Sequence, residues 1–233
     1  MFFDPTYIYI VLPFVIFAMI ASARVNSAFR TYSKQLSRSN ISGADAARRV
    51  LALNGVHNVN IERVNGNLTD HYDPKANVIR LSQSVYDSTS TAAIGVACHE
   101  AGHAVQYASG YGPIKLRAAI IPITNIGSKL AMPLIIIGII FTSVSTLFLN
   151  VAYAGIICFA LCTTFQIITL PVEFNASHRA LECIEASGIL TEDEQKGAKR
   201  VLRAAAMTYV AALAVSLAQL LRLLMLVNGR NRR

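Results

Sequence analysis

The sequence predicts a mainly α-helical membrane protein, with about four transmembrane helices and a small soluble layer of mixed α+β structure. Two observations support this prediction. Hydrophobic residues make up 54% of the 233 residues and charged residues only 15%, whereas ordinary soluble domains carry about 25% charged residues. The charges are also unevenly distributed, since no Asp, Glu, Lys or Arg occurs between Lys129 and Glu173.

Four hydrophobic segments define the predicted transmembrane helices, at roughly 20 residues per bilayer crossing. The charge-free stretch of 43 residues is long enough for two of them, and Pro133, Asn150 and Pro171 indicate where they begin and end. Arg222 lies within the last segment, so its side chain must reach an interface or face protein. The predicted segments are 5–23, 131–149, 152–171 and 204–227.

The distribution of Lys and Arg predicts the orientation in the membrane. Residues 1–23 contain neither, whereas residues 24–50 contain six. We therefore expect an outside N-terminus, a cytoplasmic segment after it, and a multi-pass protein of the cell membrane. A cleaved signal peptide is the alternative for the N-terminus, and it is disfavoured because that segment carries Asp4 and no basic residue.

The end of the chain conflicts with this orientation. A full fourth crossing would leave Arg230, Arg232 and Arg233 outside, as an exception to the rule that basic residues stay in the cytoplasm. The alternative is that the last helix is re-entrant or lies at the membrane interface. The predicted parts are a first transmembrane helix at 1–23, a cytoplasmic insert at 24–116, two transmembrane helices at 117–171, cytoplasmic helices at 172–203, and a last hydrophobic helix with a basic tail at 204–233.

The net charge of +8 indicates the lipid bilayer as a partner. The basic residues cluster beside membrane segments with little aromatic interleaving, which favours anionic lipid headgroups over nucleic acid. The four cysteines form no CxxC pair, so no disulfide framework is predicted.

The insert shows both helical and strand patterns. Three features indicate successive elements. They are a helix-capping serine, an alternating apolar pattern followed by Asn65-Gly66, and a second run of capping residues. Asn65-Gly66 is typical of a β-hairpin turn. The predicted elements are a helix after Ser42 that ends at Gly55, strands at 59–63 and 76–86, and a helix from 89–91 to Ser109 that stops at Gly110.

The last of these helices carries the motif His99-Glu100-Ala101-Gly102-His103. Residues four apart project from one helix face, so His99 and His103 can bind one zinc ion. Glu100 is rotated by about 100° from His99, beside the metal, where it can act as a general base. The alternative is a pair of surface histidines with a salt-bridging glutamate. Gly102 favours the metal site, since glycine inside a helix costs about 1 kcal/mol and suggests close approach of another segment.

A catalytic zinc takes three protein ligands and keeps one position open. The candidates on the same side of the membrane are His57 and His71 in the insert and the segment after the third span. Glu173, where the chain leaves the bilayer, is the best of them, and His178, with Glu182 behind it, is the rival.

The motif followed by two spans and then EFNASHRA resembles the membrane gluzincin metalloproteases, such as HtpX and the CAAX prenyl proteases. Together, DHYDP, LSQSVY, HEAGHAVQ and PVEFNAS resemble the YugP-type neutral zinc metallopeptidases of bacteria over nearly the whole chain. The resemblance implies that His99, His103 and Glu173 bind Zn²⁺ and that Glu100 is the catalytic base. It also implies that the soluble layer is gluzincin-like.

One residue departs from the HtpX pattern. Ser177 stands where that family has an aspartate four residues after the glutamate ligand. An aspartate there would orient a liganding histidine through its second ring nitrogen. Either Ser177 does so through a weaker hydrogen bond, or Asp70 or Asp73 takes that role.

The same resemblance suggests how substrate binds. Proteases of this type pair an extended substrate with an edge strand beside the active-site helix, and residues 77–82 are the predicted strand. The alternative is an ordinary core strand. Stabilisation of the oxyanion requires a further donor, for which Arg179, His178, His71 and Tyr72 are candidates.

These features predict a zinc-dependent membrane endopeptidase that hydrolyses peptide bonds with a zinc-activated water, acting on peptides or membrane proteins. The resemblance to HtpX suggests membrane-protein quality control. The alternative from another class is a non-catalytic zinc-binding membrane scaffold, which would have no need of Glu100 as a base. A zinc transporter is disfavoured, because residues 130–172 contain no ionisable acidic or basic group of the kind that transport requires.

Overall fold

The structure is a computed structural model that describes residues 5–231. The chain divides into two compact units. The first, here the helical unit, comprises Met1–Ile20, Leu116–Leu170 and Thr208–Arg233. The second, here the α+β unit, comprises Ala21–Lys115 and Pro171–Met207.

Seven α-helices and three strands make up the described chain. They are α1 (Leu12–Tyr32, preceded by a π-helical turn at Tyr7–Val11), α2 (Gly43–Leu53), β1 (Asn60–Val64), β2 (His71–Asp73), β3 (Val78–Ser82), α3 (Gln83–Tyr86), α4 (Thr91–Ala108), α5 (Gly112–Phe141), α6 (Leu147–Ser187) and α7 (Glu192–Asn231). By length and composition, four of the helices could cross a membrane, namely α1 with its π-helical turn, α5, α6 and α7. The predicted fold class, a mainly α-helical membrane protein with a small mixed layer, is confirmed.

The turn between the two central spans lies earlier than predicted, at residues 142–146. At the start of α6, Ser145 Oγ accepts from the Leu147 amide, so it satisfies an amide that has no partner within the helix. Pro133 and Pro171 lie inside helices instead of ending them. Membrane helices tolerate such prolines because neighbouring groups satisfy the freed carbonyls.

Small residues bring the helices of the helical unit close together. A Cβ at Gly138 would lie 2.4 Å from the Ala152 amide nitrogen, so only glycine fits there. Arg222 faces protein, with its guanidinium carbon 5.2 Å from the centroid of the Tyr7 ring. Helix α7 runs unbroken to Asn231. The arginines at 232 and 233, on which the predicted conflict in orientation partly rests, lie outside the described residues.

The sheet of the α+β unit has the strand order β1-β3-β2, with β1 parallel and β2 antiparallel to β3. Two predictions are wrong here. Asn65-Gly66 does not close a hairpin, and the strand predicted at 76–86 ends at Ser82, where α3 begins. The absence of the hairpin is consistent with burial, because Val78, Ile79 and Leu81 are covered on both faces of β3. Such a strand lies in the middle of a sheet and takes two neighbours.

The helices of the insert begin and end largely where the sequence places them. Ser42 caps α2 by accepting from the Asp45 amide, and Ser90 caps α4 by accepting from the Ala93 amide. Gly110 ends α4 with a φ of +69°, a conformation that glycine adopts at no steric cost. Helix α4 is buried over most of its length, and this fixes the position of the motif that it carries.

Candidate metal centre

Three side chains from two helices converge in the α+β unit. His99 and His103 project from one face of α4, and Glu173 projects from α6. The two helices approach closely because Gly102 lies between the histidines, where a Cβ would come within 2.6 Å of the Ala176 carbonyl oxygen. The glycine inside the motif is therefore explained by the contact that brings Glu173 to the histidines.

The spacing of the three groups suits a tetrahedral metal ion. Glu173 Oε2 lies 3.3 Å from His99 Nε2 and 3.5 Å from His103 Nε2, and the three ligand atoms lie within 4.8 Å of one another. Ligands about 2.0–2.1 Å from a tetrahedral zinc ion are separated by about 3.3 Å. Two imidazoles and one carboxylate are also a donor set of catalytic zinc sites. The residues present thus fit a zinc ion.

Two members of this group are buried. Glu173 is 2% and His103 8% exposed, and buried charges require partners or a metal. Burial by itself would lower the pKa of His103, but the Glu173 carboxylate, together with the charge of Glu100, outweighs it and raises the pKa above its usual value. Protons therefore compete with a metal for this ring, and we expect metal affinity to fall as the pH is lowered.

Each histidine is held through its second ring nitrogen. Ser177 Oγ lies 3.1 Å from His99 Nδ1, and Gln106 Oε1 lies 3.0 Å from His103 Nδ1. The alternative orienting residues are engaged elsewhere. Asp70 accepts from the amide and hydroxyl of Ser82, and Asp73 pairs with Arg80. Of the alternatives raised by the sequence, the hydroxyl of Ser177 is thus the group beside His99.

Glu100 lies on α4 next to His99 and is 9% exposed. Among the described residues, no hydrogen bond or ion pair occupies its carboxylate, which leaves its oxygens available to a water molecule. Asp70 is its acidic neighbour. Burial raises the pKa of Asp70, and the charge of Glu100 acts in the same direction, against the hydrogen bonds from Ser82.

The remaining predicted site residues make contacts outside the three-residue group. His57 lines a cavity of about 560 Å³ beside β1, and His71 Nδ1 contacts the Thr69 carbonyl. His178, the rival third ligand, pairs with Glu182 at 3.1 Å in an exposed position. The hydroxyl of Tyr72, a candidate oxyanion donor, donates to Asn77. Neither His57, His71 nor His178 belongs to the group of potential ligands that includes Glu173.

The strand predicted to pair with substrate is not an edge strand, which corrects the prediction. Residues 78–82 form β3, the central strand. The edge strand that packs on α4 is β2, where the rings of Tyr72 and Tyr107 lie with centroids 5.5 Å apart. The sequence of residues 76–86 indicated a strand, but it carried no information about which neighbours the strand takes.

Sequence analysis missed Gln106 and Asn175. Gln106 is fully buried and its amide nitrogen donates to the Val172 carbonyl and to Asn175 Oδ1. Gln106 lies three positions after His103, and residues three apart on a helix are neighbours. A polar side chain at that spacing was therefore the available signal that it contacts the histidine.

Comparison with known proteins agrees with this geometry. Residues 7–228 match the family described as "Putative neutral zinc metallopeptidase". The chain is 47% identical over 212 residues to "Putative membrane protease YugP" of Bacillus subtilis (strain 168), covering 91% of this chain and 92% of that protein. No solved structure matches the chain. The predicted resemblance to YugP-type proteins is confirmed, and the chain belongs to this family of neutral zinc metallopeptidases.

Proposed function

We propose that this protein is a zinc-dependent membrane endopeptidase of the gluzincin type. His99, His103 and Glu173 hold the metal, and Glu100 is the general base. The single observation that carries the proposal is the convergence of the three ligand atoms within 4.8 Å, next to a buried glutamate. Membership of a zinc metallopeptidase family supports the same chemistry.

The roles of the side chains follow from their positions. When bound, zinc lowers the pKa of water towards neutrality and polarises the substrate carbonyl. The Glu100 carboxylate takes a proton from the attacking water and passes it to the leaving amine, a function that requires a group beside the metal instead of on it. Ser177 and Gln106 keep the two imidazoles oriented through their outer nitrogens.

The active site lies on the cytoplasmic side of the cell membrane in this proposal. The segments that carry the site, at 24–115 and 171–207, are also those that contain most of the Lys and Arg residues, as the positive-inside rule requires. A reporter fused to the C-terminus, after four crossings, is expected to lie outside. A cytoplasmic reporter would mean either that one hydrophobic helix does not cross or that the orientation is inverted, and a reporter on the N-terminus would distinguish the two.

The peptide substrate binds along β2 in this account. β2 pairs with β3 on one side, and within the described residues no strand covers its other side. Asp70, immediately before β2, is close enough to Glu100 for their charges to interact. An extended peptide added to this edge would therefore pass the cluster while making main-chain hydrogen bonds, with little preference for side chains. Such tolerance suits the removal of varied membrane proteins, the role that the resemblance to HtpX suggests.

Methylation of single amides in the substrate tests this binding mode. A main-chain hydrogen bond contributes about 0.5–1.5 kcal/mol, so a peptide methylated at an amide that faces β2 should be cleaved about two- to tenfold more slowly. The matched control carries its methyl group on a residue well outside the strand-length segment around the scissile bond. Equal rates for every methylated peptide would contradict pairing with an edge strand.

Removal of the metal tests the function as a whole. We expect the detergent-purified protein to cleave an unfolded model protein, to stop when a strong chelator removes zinc, and to recover when about one equivalent of zinc per chain is returned. Cleavage that continues in zinc-free protein would contradict the proposal. Zinc binding without cleavage of any unfolded substrate would instead support the non-catalytic scaffold.

A further inference from the structure

Gln106 makes three contacts that join the two helices of the metal centre. It is fully buried on α4. Its Oε1 lies 3.0 Å from His103 Nδ1, and its Nε2 lies 2.8 Å from the Val172 carbonyl oxygen and 2.9 Å from Asn175 Oδ1. A buried amide is costly unless its donors and acceptor are satisfied, and here all three are used.

The direction of these hydrogen bonds is determined by two groups, one that can only accept a hydrogen bond and one that can only donate. The Val172 carbonyl can only accept, so it selects the NH₂ end of Gln106. Arg179 can only donate, and its Nε lies 2.9 Å from Asn175 Oδ1. The oxygen of Asn175 therefore faces both Arg179 and Gln106, which selects the same orientation independently.

This orientation leaves only the Gln106 oxygen for His103. Nδ1 of His103 must then carry a proton, and in the neutral ring the lone pair is on Nε2. Nε2 is the nitrogen that lies 3.5 Å from Glu173 Oε2. By contrast, Ser177 beside His99 can donate or accept, so it does not select a tautomer.

We infer that Gln106 is a positioning residue for the metal, acting with Asn175 and Arg179. It fixes the tautomer of His103 that is competent to bind zinc, and it ties that ring to the carbonyl of Val172, the residue before Glu173. One side chain thereby sets the relative position of ligands on α4 and α6. The inference rests on the proposed zinc site, but its test measures metal affinity and does not depend on proteolysis.

The test compares zinc affinity by chelator competition in detergent for wild type, Gln106→Met and Gln195→Met. Methionine keeps the length of glutamine and removes its hydrogen bonds. Loss of an outer partner of a metal-binding histidine typically weakens affinity 10–100-fold, and we expect that loss for Gln106→Met. Gln195→Met is the matched control, because Gln195 in the same unit bonds the Leu190 carbonyl far from the ligands in sequence. Its zinc affinity should equal that of wild type.

A spectroscopic measurement separates positioning from general packing. In zinc-loaded protein with ¹⁵N-labelled histidine rings, the Nδ1 proton of His103 should give a slowly exchanging resonance that disappears in Gln106→Met and persists in Gln195→Met. Wild-type affinity in a folded Gln106→Met, or an equal loss of affinity in both variants, would overturn the inference. If wild type binds no zinc at all, the proposed function fails instead.

Asn175 provides a second pair of variants should Gln106→Met not fold. Asn175→Asp keeps an acceptor for both Gln106 and Arg179, so it should bind zinc more tightly than a variant that lacks the acceptor. Asn175→Leu removes that acceptor and should weaken zinc binding. Equal affinities for the two variants, or a loss in Asn175→Asp alone, would contradict the proposed direction of the hydrogen bonds.

Discussion

Replacement of Glu100 by glutamine is expected to abolish cleavage while zinc remains bound. The amide has nearly the same shape as the carboxylate but cannot take a proton from water. General-base catalysis typically contributes 10²- to 10⁴-fold to the rate, so the cleavage rate should fall by about that factor. Zinc content should stay near one ion per chain, because His99, His103 and Glu173 are unchanged. Metal analysis and cleavage of an unfolded substrate measure the two quantities on the same sample.

Glu182→Gln is the matched control for this variant. Glu182 is an exposed carboxylate on α6 that pairs with His178, so neutralising it should leave both zinc content and cleavage unchanged. Wild-type cleavage by Glu100→Gln would show that another group, or none, acts as the base. Loss of zinc from Glu100→Gln would mean that this carboxylate is a ligand.

Replacement of Glu173 by alanine is expected to release the metal. Two histidines would remain of a three-ligand site, and a catalytic zinc ion takes three protein ligands. Even outer partners of a ligand contribute 10–100-fold to metal affinity, so removal of a ligand should weaken zinc binding by more than about 100-fold. Cleavage should be lost with the metal. Zinc titration against a chelator measures the affinity.

Two further variants make this prediction specific. Glu173→Gln preserves the volume of this buried side chain and should still bind zinc more weakly than wild type, which separates loss of charge from loss of packing. His178→Ala removes the rival third ligand and should retain the zinc affinity of wild type. If Glu173→Ala keeps its zinc while His178→Ala loses it, the third ligand has been assigned to the wrong residue.

Local patterns in the sequence predicted much of the fold, for physical reasons that the structure makes visible. Ser42 and Ser90 are capping residues whose hydroxyls satisfy amides within three positions along the chain, so short-range chemistry determines where α2 and α4 begin. The four hydrophobic helices follow from length and composition alone. His99 and His103 share a face because of helix geometry, which requires no knowledge of the rest of the chain.

Features that depend on distant contacts could not be predicted in this way. The central position of β3 depends on strands before it in the chain pairing on both sides. The turn at 142–146 was misplaced because Pro133 and Asn150, which guided the prediction, lie inside α5 and α6. Gln106 was missed because its partners, Val172 and Asn175, lie on another helix more than 60 residues away.

Zinc-edge X-ray absorption of the zinc-loaded wild-type protein tests the central claim most directly, because it identifies the atoms around the metal. Two histidines and one glutamate predict nitrogen and oxygen neighbours at about 2.0–2.2 Å, including two imidazoles, with no sulfur. Burial raises the pKa of the Cys98 thiol beside His99, which disfavours a thiolate there. A sulfur neighbour at about 2.3 Å, or a shell without imidazole, would contradict zinc binding by His99, His103 and Glu173.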